Sequence, residues 1–361
     1  MKSETQTVQA GDGSFDLKRL IRPNILALTP YRSARDDFKS GLLLDANENS
    51  FGSALGDQEL NRYPDPRQEE LRSLTAAFRN VLPEQVFLGV GSDEPIDLLI
   101  RIFCRPGTDR IIITPPTYGM YKVSANINDA GVDEAPLNPD FSIDADNIRS
   151  KSGDLQKILF LCSPNNPTAN NLDRSRIMEI ISSFKGIVVV DEAYIDFSSA
   201  ESMLTELNRF PNLVVLQTMS KSFGMAAIRL GMAFASAGII DIMNRVKAPY
   251  NVNNLTAAAA VEAIRNVDVM KQHIRDILSE RTRLAAELIQ INGVRKIFPS
   301  DANFLLVRIN DAQDVYRRLA GMGIIVRYRG DQIHCDNCLR ITVGTPDENS
   351  RLISALKEVL E

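Results

Sequence analysis

The sequence is poor in the side chains that bind metals or form cross-links: two histidines and four cysteines in 361 residues. Two of the cysteines fall in His334-Cys335-Asp336-Asn337-Cys338, a spacing that metal and redox sites can use. There is no second cysteine pair, and the other histidine, His273, lies in a charged helical stretch. We read the segment as a loop entering a strand that contains Cys338, assign no metal, and expect reduced thiols in a cytoplasmic protein. Long apolar runs are also missing. None approaches the roughly 18 residues that span a bilayer, so no membrane partner is expected. Positive charge is not in excess either: the formal net charge is −5 and the sequence pI about 5.4, which excludes a general electrostatic footprint for nucleic acid. The polar N-terminus lacks the apolar core of a signal peptide, and residues 1–25 are expected to form a flexible arm. Internal repeats and low-complexity tracts are absent.

What is present is a hydrophobic content of 44%, enough for one large domain and a smaller one. From about residue 84 to 250, short apolar strands alternate with helical patterns, the signature of a parallel α/β sheet. The strands read VFLGV (86–90), RIIIT (110–114), KILFLC (157–162), GIVVVD (186–191), NLVVLQT (212–218) and LGMAFAS (230–236). They are apolar on both faces, as strands covered by helices on both sides must be. After Pro249 a long helical stretch through Ala257–Ala260 runs toward Ile291, followed by NFLLVRI (303–309) and CLRITVG (338–344). Thr345-Pro346-Asp347-Glu348 is a capping box with proline at the first helical position. The expected fold is α/β. A large domain with a mostly parallel sheet covers 51–279, a small α+β domain covers 280–361, and an N-terminal segment, 26–50, packs beside the latter.

Ligands of open α/β sheets bind at the carboxyl edge of the strands, and four features fall there. Gly91-Ser92-Asp93 is a small-residue turn at the start of a helix, where backbone N–H groups suit a phosphate. Ser163-Pro164-Asn165-Asn166-Pro167-Thr168 is a proline-stiffened loop that aims the Asn166 amide. Asp191 ends a buried strand, with Tyr194 three residues on, and a carboxylate there needs a positive partner. Thr218-Met219-Ser220-Lys221 holds a lysine in a turn after a buried strand, with Arg229 eight residues later. Each feature alone also fits a plain cap, turn or surface charge. Together they supply what pyridoxal 5′-phosphate (PLP) requires. Lys221 holds the cofactor covalently, and Asp191 keeps the pyridine nitrogen protonated. Asn166 and Tyr194 meet the ring oxygen. Gly91, Ser92, Asp93, Thr218 or Ser222, Ser220 and Arg229 meet the phosphate.

The order Asn-Pro, Asp-x-x-Tyr, Ser-Lys and downstream Arg closely resembles fold-type I PLP-dependent aminotransferases. More narrowly, 27–31 (ALTPY), 46–49 (ANEN), 61–65 (NRYPD), 115–121 (PPTYGMY), 162–168 (CSPNNPT) and 339–345 (LRITVGT) resemble the histidinol-phosphate aminotransferase family from about residue 25 to the C-terminus. The resemblance implies a homodimer in which Tyr118 lies near the cofactor ring and Tyr63 reaches the cofactor phosphate of the partner subunit. It also implies that Tyr31, Asn47, Arg327 and Arg340 surround the substrate. The implied reaction moves an amino group between L-histidinol phosphate and 2-oxoglutarate, giving imidazole-acetol phosphate and L-glutamate in histidine biosynthesis. An aromatic or broad-range aminotransferase, a PLP lyase such as a threonine-phosphate decarboxylase, and a non-catalytic module that has kept the fold are the alternatives. Two positions depart from the family pattern. Ala169 follows Asn-Pro-Thr where glycine is usual, and Ala227 replaces a glycine two residues before Arg229; a positive φ at either would strain alanine.

Overall fold

The computed structural model describes residues 15–38, 40–56 and 59–360. Eleven strands form two sheets among these residues. The first seven are β1 (Val86–Val90), β2 (Arg110–Ile113), β3 (Gly131–Glu134), β4 (Gln156–Cys162), β5 (Ile187–Asp191), β6 (Leu213–Thr218) and β7 (Leu230–Ala235). They form one sheet in the order β1-β7-β6-β5-β4-β2-β3. Alternate residues go to opposite apolar layers: Ile158, Phe160, Ile187, Val189, Val214 and Leu216 to one, Leu159, Leu161, Val188, Val190, Leu213 and Val215 to the other. That is why the strands read as continuous apolar runs.

β7 departs from the expected parallel set: it pairs antiparallel with both β1 and β6. Only residues 219–229 join it to β6, too short a link to hold a crossover helix, so the chain returns directly. Lys221 sits in this return loop, at the carboxyl edge shared by β1, β6, β5 and β4.

The remaining strands, β8 (Val294–Ile297), β9 (Phe304–Ile309), β10 (Arg327–Tyr328) and β11 (Cys338–Thr342), form a wholly antiparallel sheet in the order β10-β11-β9-β8. One face packs on the helices Ala312–Gly321 and Pro346–Leu360 through Leu305, Val307, Leu339 and Ile341. Leu306 and Cys338 on the other face join an apolar layer of the large sheet. The expected capping box of the last helix forms, with the Thr345 N–H donating to Glu348 Oε2 at 2.8 Å.

Two expectations need correction. Of the expected arm, residues 1–14 lie outside the described residues, whereas 15–25 are docked. The helices Leu17–Leu20 and Pro23–Leu26 pack Leu17, Leu20 and Ile25 on the large core, and the Arg22 N–H donates to the Ile102 carbonyl at 3.0 Å. The long helical stretch is two helices, Asn254–Arg265 and Val267–Leu288. The Asn266 amide donates to the Glu262 carbonyl and carboxylate and so competes with the helical ladder. The expected boundary at 280 falls within the second helix, which carries Met270 before it and the small-core residues Leu284 and Leu288 after it. The polar contacts of segment 34–49 run to the 61–63 loop. Glu48 accepts from the Arg35 and Arg62 guanidiniums and from the Tyr63 N–H, at 2.5, 2.8 and 2.6 Å. Burial raises the Glu48 carboxyl, but these donors outweigh it and hold it at about 2.

Candidate active site

The site grows from the amino end of β7. Gly91 bridges Leu230, and its N–H donates to the Arg229 carbonyl at 2.8 Å. This close approach requires glycine. Gly91 has φ +66°, and a Cβ there would meet Arg229 Nη2 at 2.6 Å; a Cβ on Gly231 would meet the Gly91 carbonyl carbon at 2.2 Å. The helix Asp93–Phe103 begins beside it with Ser92 as N-cap, yet the Ser92 hydroxyl makes no capping bond. Its hydroxyl and the first N–H groups of an 11-residue helix stay available to an anion. On the other side, Thr218 Oγ1 donates to the Leu230 carbonyl and lies 3.0 Å from the Ser220 hydroxyl. Arg229 itself adopts φ +53°, and its Nη2 is 3.4 Å from Asp93 Oδ2. Ser222 is not brought here: its hydroxyl donates to Asp196, which also forms a two-point pair with Arg79.

Next to this cradle lies a buried acid. Asp191 ends β5 with 3% exposure, between β4 and β6 in register with Cys162 and Leu216. The Tyr121 hydroxyl donates to its Oδ2 at 2.7 Å and the Ala193 N–H to its Oδ1 at 3.1 Å. Burial nevertheless pushes the carboxyl from 3.8 up to about 6, against the pull of Tyr121. Tyr121 is fully buried, stacked on Phe160 at 4.7 Å and edge-on to Tyr118 at 5.5 Å. The Tyr118 hydroxyl donates to Asp93 at 3.0 Å.

Lys221 is half-buried, its Nζ 5.7 Å from the centre of the Tyr194 ring. Burial lowers its pKa, the Arg340 and Arg229 charges lower it further, and Asp191 and Asp93 oppose. Tyr194 packs edge-on to Phe304 and its phenol is pushed up by burial. Arg340 reaches across from β11 to donate to Asn166 Oδ1 at 2.6 Å, leaving the Asn166 NH₂ unused by that contact. Arg327 pairs opposite Arg340 in the small sheet.

One structure thus gathers Gly91, Ser92, Asp93, Tyr118, Asn166, Asp191, Tyr194, Thr218, Ser220, Lys221, Arg229 and Arg340. Tyr31, Asn47 and Tyr63 are not joined to this group among the described residues. Tyr31 is 72% exposed. Asn47 and Tyr63 line an open cleft of about 370 Å³ with Glu48 and Asn254, and Tyr63 stacks on Tyr250 at 4.7 Å. Ala169 does adopt a positive φ, +68°, buried against Tyr194 and Phe304, whereas Ala227 does not. The sequence reading gave no role to Tyr121, whose signal was its spacing: Tyr118 and Tyr121 are three residues apart at a helix start. It also missed the Arg79–Asp196–Ser222 tie on the Lys221 loop, which has no local signal because its partners are distant in sequence.

A half-buried lysine on a return loop, a buried acid and a cradle that suits an anion meet at one sheet edge, the arrangement of an enzyme site of the α/β class. The model of the family "Aminotransferase class I and II" matches residues 37–356, and the chain belongs to this family. It is 49% identical over 346 residues to a histidinol-phosphate aminotransferase of Cytophaga hutchinsonii, covering 95% of this chain and 99% of that one. A solved histidinol-phosphate aminotransferase from Clostridium acetobutylicum aligns with TM-score 0.77 at 25% identity, covering 83% of this chain and 91% of the other. The Sinorhizobium meliloti enzyme of the same name, solved in complex with pyridoxal-5′-phosphate, shares the fold with TM-score 0.78 at 22% identity, over 87% and 89% of the two chains. No helix among the described residues is long and apolar enough to cross a membrane.

Proposed function

We propose that the chain is a PLP-dependent histidinol-phosphate aminotransferase that moves an amino group reversibly between L-histidinol phosphate and 2-oxoglutarate, giving imidazole-acetol phosphate and L-glutamate. One observation carries the cofactor reading. An acid raised to about 6 and an amine lowered by burial stand at one sheet edge with an anion cradle in which Arg229 packs so close to Gly91 that a Cβ there would strike its guanidinium. The substrate follows from the names of relatives that match the chain over almost its full length.

The residues fit PLP. The cradle of Gly91, Ser92, Asp93, Thr218, Ser220 and Arg229 would hold its phosphate, and Asp191 would hold the proton on its pyridine nitrogen. The Asn166 NH₂ and the Tyr194 hydroxyl would donate to the ring oxygen, and Tyr118 would cover the ring. When bound, PLP supplies an electron sink for the charge that develops at the substrate carbon. Lys221, its amine made nucleophilic by burial, would hold the cofactor and would move the proton at the substrate carbon as base and then acid. Tyr121 keeps Asp191 ionised and aimed. Arg340 and Arg327 take the substrate's anionic end, and a guanidinium pairs with either phosphate or carboxylate.

The active unit in this reading is a homodimer, with Tyr63 of the partner subunit completing each phosphate site and Tyr31 and Asn47 closing on the substrate. Exposed Tyr31, Phe38, Leu42, Leu44, Phe51 and Tyr63 support a face covered by a second copy. In this reading the large and small units, expected over 51–279 and 280–361, share the helix Val267–Leu288, which runs through both.

The test is a single turnover. Holoenzyme given L-histidinol phosphate without a keto acid is expected to release one equivalent of imidazole-acetol phosphate per site. Release of carbon dioxide from phosphothreonine in place of that product, as a decarboxylase would give, overturns the assignment.

A further inference from the structure

The small sheet places three arginines, not two, on the face turned to Asn166 and Tyr194. Arg327 stands opposite Arg340, and the Arg329 N–H donates to the Cys338 carbonyl at 2.9 Å, extending the ladder by one residue. Directly opposed residues share a face, as do residues two apart, so Arg327, Arg329 and Arg340 lie on one side. Tyr328, Leu339 and Ile341 go to the other side, into the small core. The arginine side is turned to the Lys221 site, because Arg340 donates to Asn166 and the charges of both Arg340 and Arg329 act on Tyr194.

Among the described residues none of the three is ion-paired, and Arg329 Nε is buried without a hydrogen-bond partner. Burial brings the Arg329 guanidinium down to about 10, with Arg340 and Arg327 adding to the shift. Arg329 and Arg340 are half-buried beside the exposed Arg327, and like charges brought together there are costly unless an anion completes them.

We propose that Arg329 is a third guanidinium of the substrate-anion subsite, and that the trio selects a phosphate monoester dianion over a carboxylate. The proposal rests on the reading of Arg327 and Arg340 as substrate residues. Its chemistry is a count of acceptors: a phosphate monoester offers three terminal oxygens and close to two charges, a carboxylate two oxygens and one charge. Two arginines satisfy a carboxylate, and the third finds a partner only on the phosphate.

The experiment compares holoenzymes of wild type, Arg329→Gln and Arg329→Lys in kcat and KM for L-histidinol phosphate and for L-glutamate, and in inhibition by inorganic phosphate competing with each. For Arg329→Gln the expected loss in kcat/KM for histidinol phosphate is roughly tenfold to a hundredfold, carried mainly by KM. The inorganic phosphate Ki should rise in step, while glutamate changes by less than about threefold. Arg329→Lys recovers part of the loss. Equal losses on both substrates, or none, overturn the proposal. Should the glutamine variant fail to hold cofactor by its absorbance, Arg329→Lys carries the same comparison with a smaller expected ratio. A wild type inactive on histidinol phosphate refutes the proposed function alone, since phosphate competition against glutamate still reads Arg329.

Discussion

Replacing Asp191 by asparagine should make the protein without cofactor more stable and the enzyme nearly inactive. The acid is buried at the sheet edge, and its carboxyl titrates near 6 where the ordinary value is 3.8. The folded state therefore binds this proton more tightly than the unfolded chain does, and ionising the group on folding is unfavourable. The penalty is absent below about pH 4, grows as pH rises through 4 to 6, and is constant above. At pH 7 it amounts to about 3 kcal/mol at 1.36 kcal/mol per pH unit. Asparagine removes it at little cost in contacts: the amide oxygen can take the Ala193 N–H, and the NH₂ can donate to the Tyr121 oxygen, which both accepts and donates. Urea unfolding of wild type and variant stripped of PLP, at several pH values from 4.5 to 7.5, should show the variant gaining up to about 3 kcal/mol by pH 7 and little near pH 4.5. In the loaded enzyme a neutral amide cannot hold the pyridinium proton, and turnover should fall on the order of 10³-fold or more. A variant less stable than wild type at every pH would mean that Asp191 is a structural cap, and near-normal turnover would remove its catalytic role.

Other expectations follow from the same geometry. Lys221→Ala should abolish turnover while leaving the fold intact, and borohydride reduction of wild-type holoenzyme followed by peptide mapping should label Lys221; a label on another lysine refutes its role. Gly91→Ala forces a Cβ to within 2.6 Å of Arg229 Nη2 at a positive φ costing about 1 kcal/mol. The guanidinium end can move, so the fold should survive while PLP affinity drops roughly tenfold or more, and unchanged affinity by equilibrium dialysis would take Arg229 out of the phosphate site. Co-refolding the double variant Tyr63→Ala/Arg62→Glu with Lys221→Ala should restore activity, because one site of the mixed dimer regains both an intact Lys221 and a borrowed Tyr63. Mixed dimers that form but stay inactive would show that each chain builds its site alone.

The central strands were legible because helices cover both faces and leave continuous apolar runs, and the carboxyl edge could be found from the residues that follow each run. β3 was missed: as an edge strand it reads Gly-Val-Asp-Glu, with Asp133 spent on a two-point pair with Arg110. The reversal of β7 was legible in principle from the 219–229 link, and the helix break at Asn266 was not, since asparagine inside a helical pattern is ordinary until its amide finds Glu262. Within the site, chain order revealed the residues that touch a cofactor, because that chemistry fixes residue types at strand ends. The residues that aim them were hidden, since Tyr121 and the Arg79–Asp196 pair act through contacts between distant segments. Arg329 was hidden by its neighbour Arg327, with the strand alternation that joins them visible only once β10 is paired.

The most direct measurement follows the amino nitrogen itself. Purified protein with PLP, L-histidinol phosphate carrying a nitrogen isotope label, and 2-oxoglutarate should yield L-glutamate bearing that label, one for each imidazole-acetol phosphate formed. Consumption of the substrate with no labelled glutamate, or release of the nitrogen as ammonia, would contradict amino transfer at Lys221.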